Sequence, residues 1–118
     1  MSQLPTHVQY RNATYFGLFQ QYQRNGHGLL ILDNSTILLA YWKKNAIHGK
    51  YIYISDSLRA YGQMLGNRLD GYNILWTKGD RGEKILYGMF RDDKLYGKAV
   101  SVDNGQVMVG QYTNSELK

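Results

Sequence analysis

The chain has 118 residues, with fourteen Lys and Arg against nine Asp and Glu for a formal net charge of +5, and it contains thirteen glycines, eleven tyrosines, one proline and no cysteine. That length bounds the chain to a single domain with one modest core. The lack of cysteine excludes a disulfide framework and a thiol nucleophile. With no apolar stretch of bilayer length, no transmembrane segment is expected. With no basic-then-apolar leader either, the expectation is a soluble cytoplasmic protein in which the Asn-x-Thr triplets at Asn12 and Asn34 carry no glycan. Tyrosines and glycines at this abundance suit pleated strands joined by tight turns and suit helices poorly.

In chain order, Thr6–Tyr10 reads as an orphan strand, and a five-residue signature then begins to recur. Its copies are Tyr15-Phe16-Gly17-Leu18-Phe19, Leu38-Leu39-Ala40-Tyr41-Trp42, Ala60-Tyr61-Gly62-Gln63-Met64, Leu86-Tyr87-Gly88-Met89-Phe90 and Met108-Val109-Gly110-Gln111-Tyr112. In the first four, another glycine follows the last large residue by seven positions, at Gly26, Gly49, Gly71 and Gly97. The central Gly or Ala positions are 23, 22, 26 and 22 residues apart, room for two strands and two turns. Each repeat is therefore expected to be a β-hairpin, at about 14–35, 36–57, 58–81, 82–105 and a partial 106–118, in a single domain spanning 1–118.

The first strand of each hairpin carries the signature, and the second follows the later glycine, at Gly28–Leu32, Lys50–Ile54, Tyr72–Trp76 and Lys98–Val102. Hairpin tips are expected at Gln23-Arg24-Asn25-Gly26, Lys43-Lys44-Asn45 and Arg91-Asp92-Asp93-Lys94. The links between hairpins fall at Asp33-Asn34-Ser35, Ser55-Asp56-Ser57 and Asp103-Asn104-Gly105. The interval holding residues 77–84 is longer than its counterparts, and reads either as a functional loop or as a tolerated surface insertion. About ten strands follow one another without a helix, so the fold class is all-β, a single-layer twisted antiparallel β-meander.

Asn104-Gly105 also sets the register, because a two-residue turn there pairs Asp103 with Gln106, Ser101 with Met108 and Ala99 with Gly110. One face then carries the signature residues, among them Tyr15, Phe19, Trp42, Tyr53, Met64, Leu75, Phe90 and Tyr112. The opposite face receives eighteen residues running from Phe16 and Leu18 to Val109 and Gln111, all apolar except Gln63 and Gln111. A sheet apolar on both sides needs a cover on both. Either the sheet curls until its faces are self-buried, or the second face meets a partner or another copy of the chain. The candidate contact residues on that face are Phe16, Leu39, Tyr41, Tyr61, Trp76, Tyr87 and Met89.

These residues resemble MORN repeats, whose pattern is Tyr-x-Gly-x-Trp/Phe, a short turn, Gly-x-Gly and an aromatic-bearing second strand. The first copy, Tyr15 to Phe19 leading to Gly26-His27-Gly28, matches at nearly every position, and the resemblance spans residues 14–118. Ala40 stands for a Gly and Met64 for an aromatic, while the second Gly of Gly-x-Gly becomes Tyr51, Asn73 and Ala99 in the later repeats. The pattern is that of a divergent array, similar to the MORN-like repeats of small bacterial antitoxin or immunity proteins. The resemblance implies a β-meander that serves as a binding platform, with no catalysis in the repeats themselves.

Residue chemistry agrees with a binding role. With only His7, His27 and His48, of which His27 and His48 do not share a register, metal ligation is poorly supplied and neither a metal nor another cofactor is expected. Asp92 and Asp93 sit beside Arg91 and Lys94 as a solvated tip rather than an acid–base pair, and no strand-to-helix transition offers a phosphate cradle. The chain is not expected to be an enzyme. The basic residues concentrate toward the tips, where Lys43, Lys44, Arg68, Arg91 and Lys94 form a candidate electrostatic rim. Such a rim suits acidic lipid headgroups in a membrane-surface adaptor, or steers an acidic protein partner. Nucleic acid is disfavoured, because the Tyr and Trp residues lie among Ile, Leu and Val.

Overall fold

In a computed structural model that describes residues 5–114 and 116–117, the chain forms one antiparallel sheet. The ends of the expected domain, residues 1–4 and 118, and residue 115 lie outside the described residues. The strands are β1 (Pro5–Gln9), β2 (Ala13–Gln20), β3 (Gln23–Leu32), β4 (Ile37–Lys43), β5 (Ala46–Ile54) and β6 (Leu58–Leu65). They continue with β7 (Arg68–Leu69), β8 (Gly71–Gly79), β9 (Gly82–Arg91), β10 (Lys94–Asp103), β11 (Gln106–Thr113) and β12 (Glu116–Leu117). Each pairs with its sequence neighbour, except that β6 pairs with both β7 and β8, and the sheet stays open. The fold is thus the expected all-β single-layer meander, with twelve strands rather than ten.

The register read from Asn104-Gly105 holds in full, with Asp103 opposite Gln106, Ser101 opposite Met108 and Ala99 opposite Gly110. The tips at Lys44-Asn45 and Asp92-Asp93 fall where expected, but the first does not. Its turn lies at Gln21 and Tyr22, with φ of 52° and 65°, and Gln23–Gly26 belong to β3. In the first, second and fourth hairpins the second strand starts before the seven-spaced glycine, whereas in the third β7 precedes Gly71 and β8 begins at it. The glycine instead marks a bulge. Gly17 faces Gly28 but Phe19 faces Arg24, which sets two extra residues of β3 against β2. The same slip recurs between β4 and β5 and between β9 and β10. Gly26, Gly49, Gly71 and Gly97 all have φ between 74° and 127°, a region closed to most side chains. A bulge in every hairpin adds right-handed twist, and the sheet curls.

Curling buries the signature face. Tyr15, Ala40, Trp42, Ile47, Tyr51 and Ala60 form one core cluster, and Phe90, Leu95 and Ala99 form a second. Leu69 and Leu75 pack against both clusters. The Tyr15 ring meets Phe19 and Trp42 edge-on at centroid distances of 5.0 and 5.9 Å.

Gly28 survives in the first repeat because the Tyr15 ring lies directly over it, where a Cβ would collide with the phenol. The later repeats begin with Leu38, Ala60 and Leu86, and the room left is filled by Tyr51, Asn73 and Ala99 themselves. The 77–84 interval forms no loop. Lys78 pairs with Glu83 and Gly79 with Gly82 around a turn at Asp80 and Arg81, so the extra residues lengthen the β8–β9 ladder.

Hairpin tips are tied to their neighbours by a recurring device. Asn45, Asn67 and Asp93 sit at the second turn position with φ of 68°. Each donates its backbone N–H to a carbonyl of the preceding hairpin, on Arg24, Ile47 and Leu69. Each also accepts the N–H of that same residue on its side-chain oxygen, at 2.8, 2.8 and 2.7 Å. Asn104 does the same with Glu83 along the other edge, at 3.0 Å. An Asn or Asp here serves twice, tolerating the left-handed turn and closing a two-bond ring with the next hairpin.

Candidate functional site

The strand ladder builds a continuous apolar row across the face opposite the core. Phe16 faces Leu29, then Leu39, Ile52, Tyr61, Ile74, Tyr87, Val100 and Val109 in successive strands. His7 on β1 stacks on Phe16 at 4.7 Å and extends the row by one strand. A second row beside it runs Ile31, Ile37, Ile54, Arg59, Trp76, Ile85, Val102 and Val107. On the tip side lies a more polar set, with His27 opposite Tyr41, Lys50 opposite Gln63, Tyr72 opposite Met89 and Lys98 opposite Gln111.

Nothing in the described chain covers this face. Of the seven residues expected on it, Phe16, Leu39, Tyr41, Tyr61 and Tyr87 are exposed, at 44%, 47%, 41%, 52% and 46%, whereas Trp76 and Met89 are half-buried among their neighbours. All seven lie on one face. Curling therefore resolves only half of the two-sided apolarity: it hides the signature face and leaves the other to solvent. Ile52, Ile54, Tyr72, Ile74 and Val109 join the exposed set.

Two shallow hollows shape the centre. One, of about 280 Å³, lies between Leu39, Tyr41, Lys50, Ile52 and Tyr61. The other, of about 260 Å³, lies between Ile52, Ile54, Arg59, Tyr61, Ile74 and Trp76. The Arg59 guanidinium stands 4.7 Å from the Trp76 ring centroid. Arg59 carries no apolar signature in the sequence, although its alternation with Tyr61 places it on this face.

The five rim residues, Lys43, Lys44, Arg68, Arg91 and Lys94, are all exposed along the edge of hairpin tips. They are not equally free. Arg68 donates to Asp92 at 2.6 Å, which pushes its pKa further up, and Arg91 stacks 5.4 Å from the Tyr96 centroid. Arg24 is spent on Trp42, 4.4 Å away, and on Asn45. Lys50 and Lys98 lie outside this rim and belong by register to the apolar face.

The titrating groups that burial perturbs lie in the core. Burial pushes the Tyr51 hydroxyl up to about 12, and that of Tyr15 upward also, against the nearby Arg24 charge. Both stay protonated donors, Tyr51 to Asn73 Oδ1 at 2.7 Å and Tyr15 to the Leu18 carbonyl at 3.1 Å. Among the described residues no group of three or more His, Asp or Glu could hold a metal ion, and no helix is long and apolar enough to cross a membrane. The chain matches no protein-family model and no curated protein sequence.

Proposed function

We propose that this chain is a protein-binding module that grips a protein partner through the face running from Phe16 to Val109. The observation that carries this reading is the unbroken apolar row across nine strands, seven of its nine residues exposed although the opposite face already supplies the core. Tyr41, Tyr61 and Tyr87 are the anchors, large rings with few rotatable bonds and a polar tip. The five-fold recurrence supports a divergent MORN-like array, and the most concrete role is that of a small cytoplasmic inhibitor, immunity or antitoxin protein. Affinity purification with mass measurement of the intact complex identifies the partner. Tyr61→Ala combined with Trp76→Asp abolishes capture while circular dichroism and melting stay near wild type. Unchanged capture by that folded variant refutes the reading.

The exposed tip lysines favour a second reading, a membrane-surface adaptor docked on acidic lipid. Among the described residues, Lys43, Lys44 and Lys94 stand along one edge without a carboxylate partner. Co-sedimentation with phosphatidylserine vesicles, lost in high salt and on charge reversal of Lys43 and Lys44, would support it, and an absence of binding removes it.

A further inference from the structure

The charges on the exposed face specify the kind of protein that covers it. Both rows and the tip-side set beside them carry Arg59, Lys50 and Lys98, and no Asp or Glu. Glu83 lies beyond the second row, at the far end of the β8–β9 hairpin and opposite Lys78. Arg59 is the charge at the centre. It is flanked in the ladder by Ile54 and Trp76, and shares the 260 Å³ hollow with Ile52, Tyr61 and Ile74. Its guanidinium lies against the Trp76 ring and forms no hydrogen bond or ion pair among the described residues. A guanidinium held over an indole face restricts its motion while leaving its N–H donors unpaired, and a planar guanidinium with free donors receives a carboxylate in a bidentate pair.

We infer that the occupant of this face is a different protein, whose docking surface sets an Asp or Glu carboxylate among apolar side chains opposite Arg59 and Trp76. This rests on the protein-binding reading above and narrows it. A second copy of the chain is the wrong occupant, because a two-fold contact brings the same patch against itself. Neither row nor the tip-side set of a second copy would offer Arg59, Lys50 and Lys98 a carboxylate as they are stripped of water, and any charge they met there would be another cation. A wholly apolar partner is also wrong, because it would bury the guanidinium without an acceptor.

The test uses the full chain as bait for a displayed library of random sixteen-residue peptides. The enriched peptides are expected to carry at least one Asp or Glu between aromatic or aliphatic residues. Measured by fluorescence anisotropy, synthetic versions lose at least tenfold in affinity for Arg59→Leu. They lose as much when their own acid is changed to the amide, and the two losses are not additive. Arg59→Lys, which keeps the charge but not the plane, falls between. Light scattering gives the monomer mass.

Acid-free peptides that bind wild type and Arg59→Leu equally, yet are lost on Tyr61→Ala, overturn this inference and leave the face as the binding surface. A dimer that dissociates on Tyr61→Ala overturns it in the same way. Peptides indifferent to both Tyr61→Ala and Trp76→Asp, or no enrichment at all, overturn both readings. Arg59 is exposed and outside both core clusters, so its variants fold.

Discussion

Asn73→Ala is expected to be among the most damaging single substitutions in the chain, for reasons that lie in the third hairpin. There the ladder breaks between Tyr61, opposite Ile74, and Met64, opposite Leu69. The Asn73 side chain bridges the break: its Oδ1 accepts the Gln63 N–H at 3.1 Å, and its Nδ2 donates to the carbonyls of Gln63 and Gly71 at 3.1 and 3.2 Å. The same Oδ1 accepts the Tyr51 hydroxyl, and Tyr51 and Asn73 are each only 1% exposed.

Truncation to Ala orphans two donors, the Tyr51 hydroxyl and the Gln63 N–H, at about 1–3 kcal/mol each, for a total of about 2–6 kcal/mol. Tyr51→Phe costs only about 1 kcal/mol, since Asn73 keeps its backbone partners. In the Tyr51→Phe background, Asn73→Ala should cost less than in wild type by about 1–2 kcal/mol, because no hydroxyl remains to be orphaned. Urea titrations followed by Trp42 and Trp76 fluorescence, with unchanged m-values, measure all four corners of the cycle. An Asn73→Ala variant within 1 kcal/mol of wild type, or a strictly additive cycle, refutes the bridge.

Gly28→Ala should destabilise by about 1–3 kcal/mol through collision with the Tyr15 phenol, and Tyr15→Leu should recover part of that loss although it is harmful alone. Stability should fall in alkali: the Tyr51 pKa rises from 10.0 to about 12 on folding, so its contribution is complete below pH 10 and is lost as pH climbs through about 12. The loss is on the order of 2–3 kcal/mol, read as the difference between wild type and Tyr51→Phe, and parallel curves for the two proteins from pH 9 to 12 would contradict it. Asn67→Ala loses both the tie to Ile47 and a residue tolerant of φ 68°, for about 2 kcal/mol, and Asn67→Gly should recover the backbone part alone. Equal melting temperatures for these two variants would mean that the tie, not the turn, carries the cost.

The sheet order, the register and the two faces were legible because they depend on alternation and on Asn104-Gly105, both local signals. The first tip was misplaced because Asn25 and Gly26 are strong turn formers, whereas the turn falls at Gln21-Tyr22, two residues with no such signature. Tyr22, fully exposed there, held no clue to its place. The 77–84 segment reads as a loop by composition, yet Gly79 and Gly82 pair across it, and ladder pairing outweighed residue preference. The ties made by Asn45, Asn67, Asp93 and Asn104 join residues 20 to 24 positions apart, beyond the reach of local turn rules. Of the face, the apolar anchors were visible, while the cation at its centre was not.

Because every strand leans chiefly on its neighbours in the meander, the molecule behaves as a one-dimensional chain of coupled hairpins, whose cooperativity is set by the weakest link between them. That link is where the two core clusters meet, at Leu69 and Leu75, the side chains that pack against both. Trimming Leu75 would not merely lower a single melting point. It would let the β1–β6 half and the β8–β11 half lose their amide protection at separate denaturant concentrations, turning one transition into two.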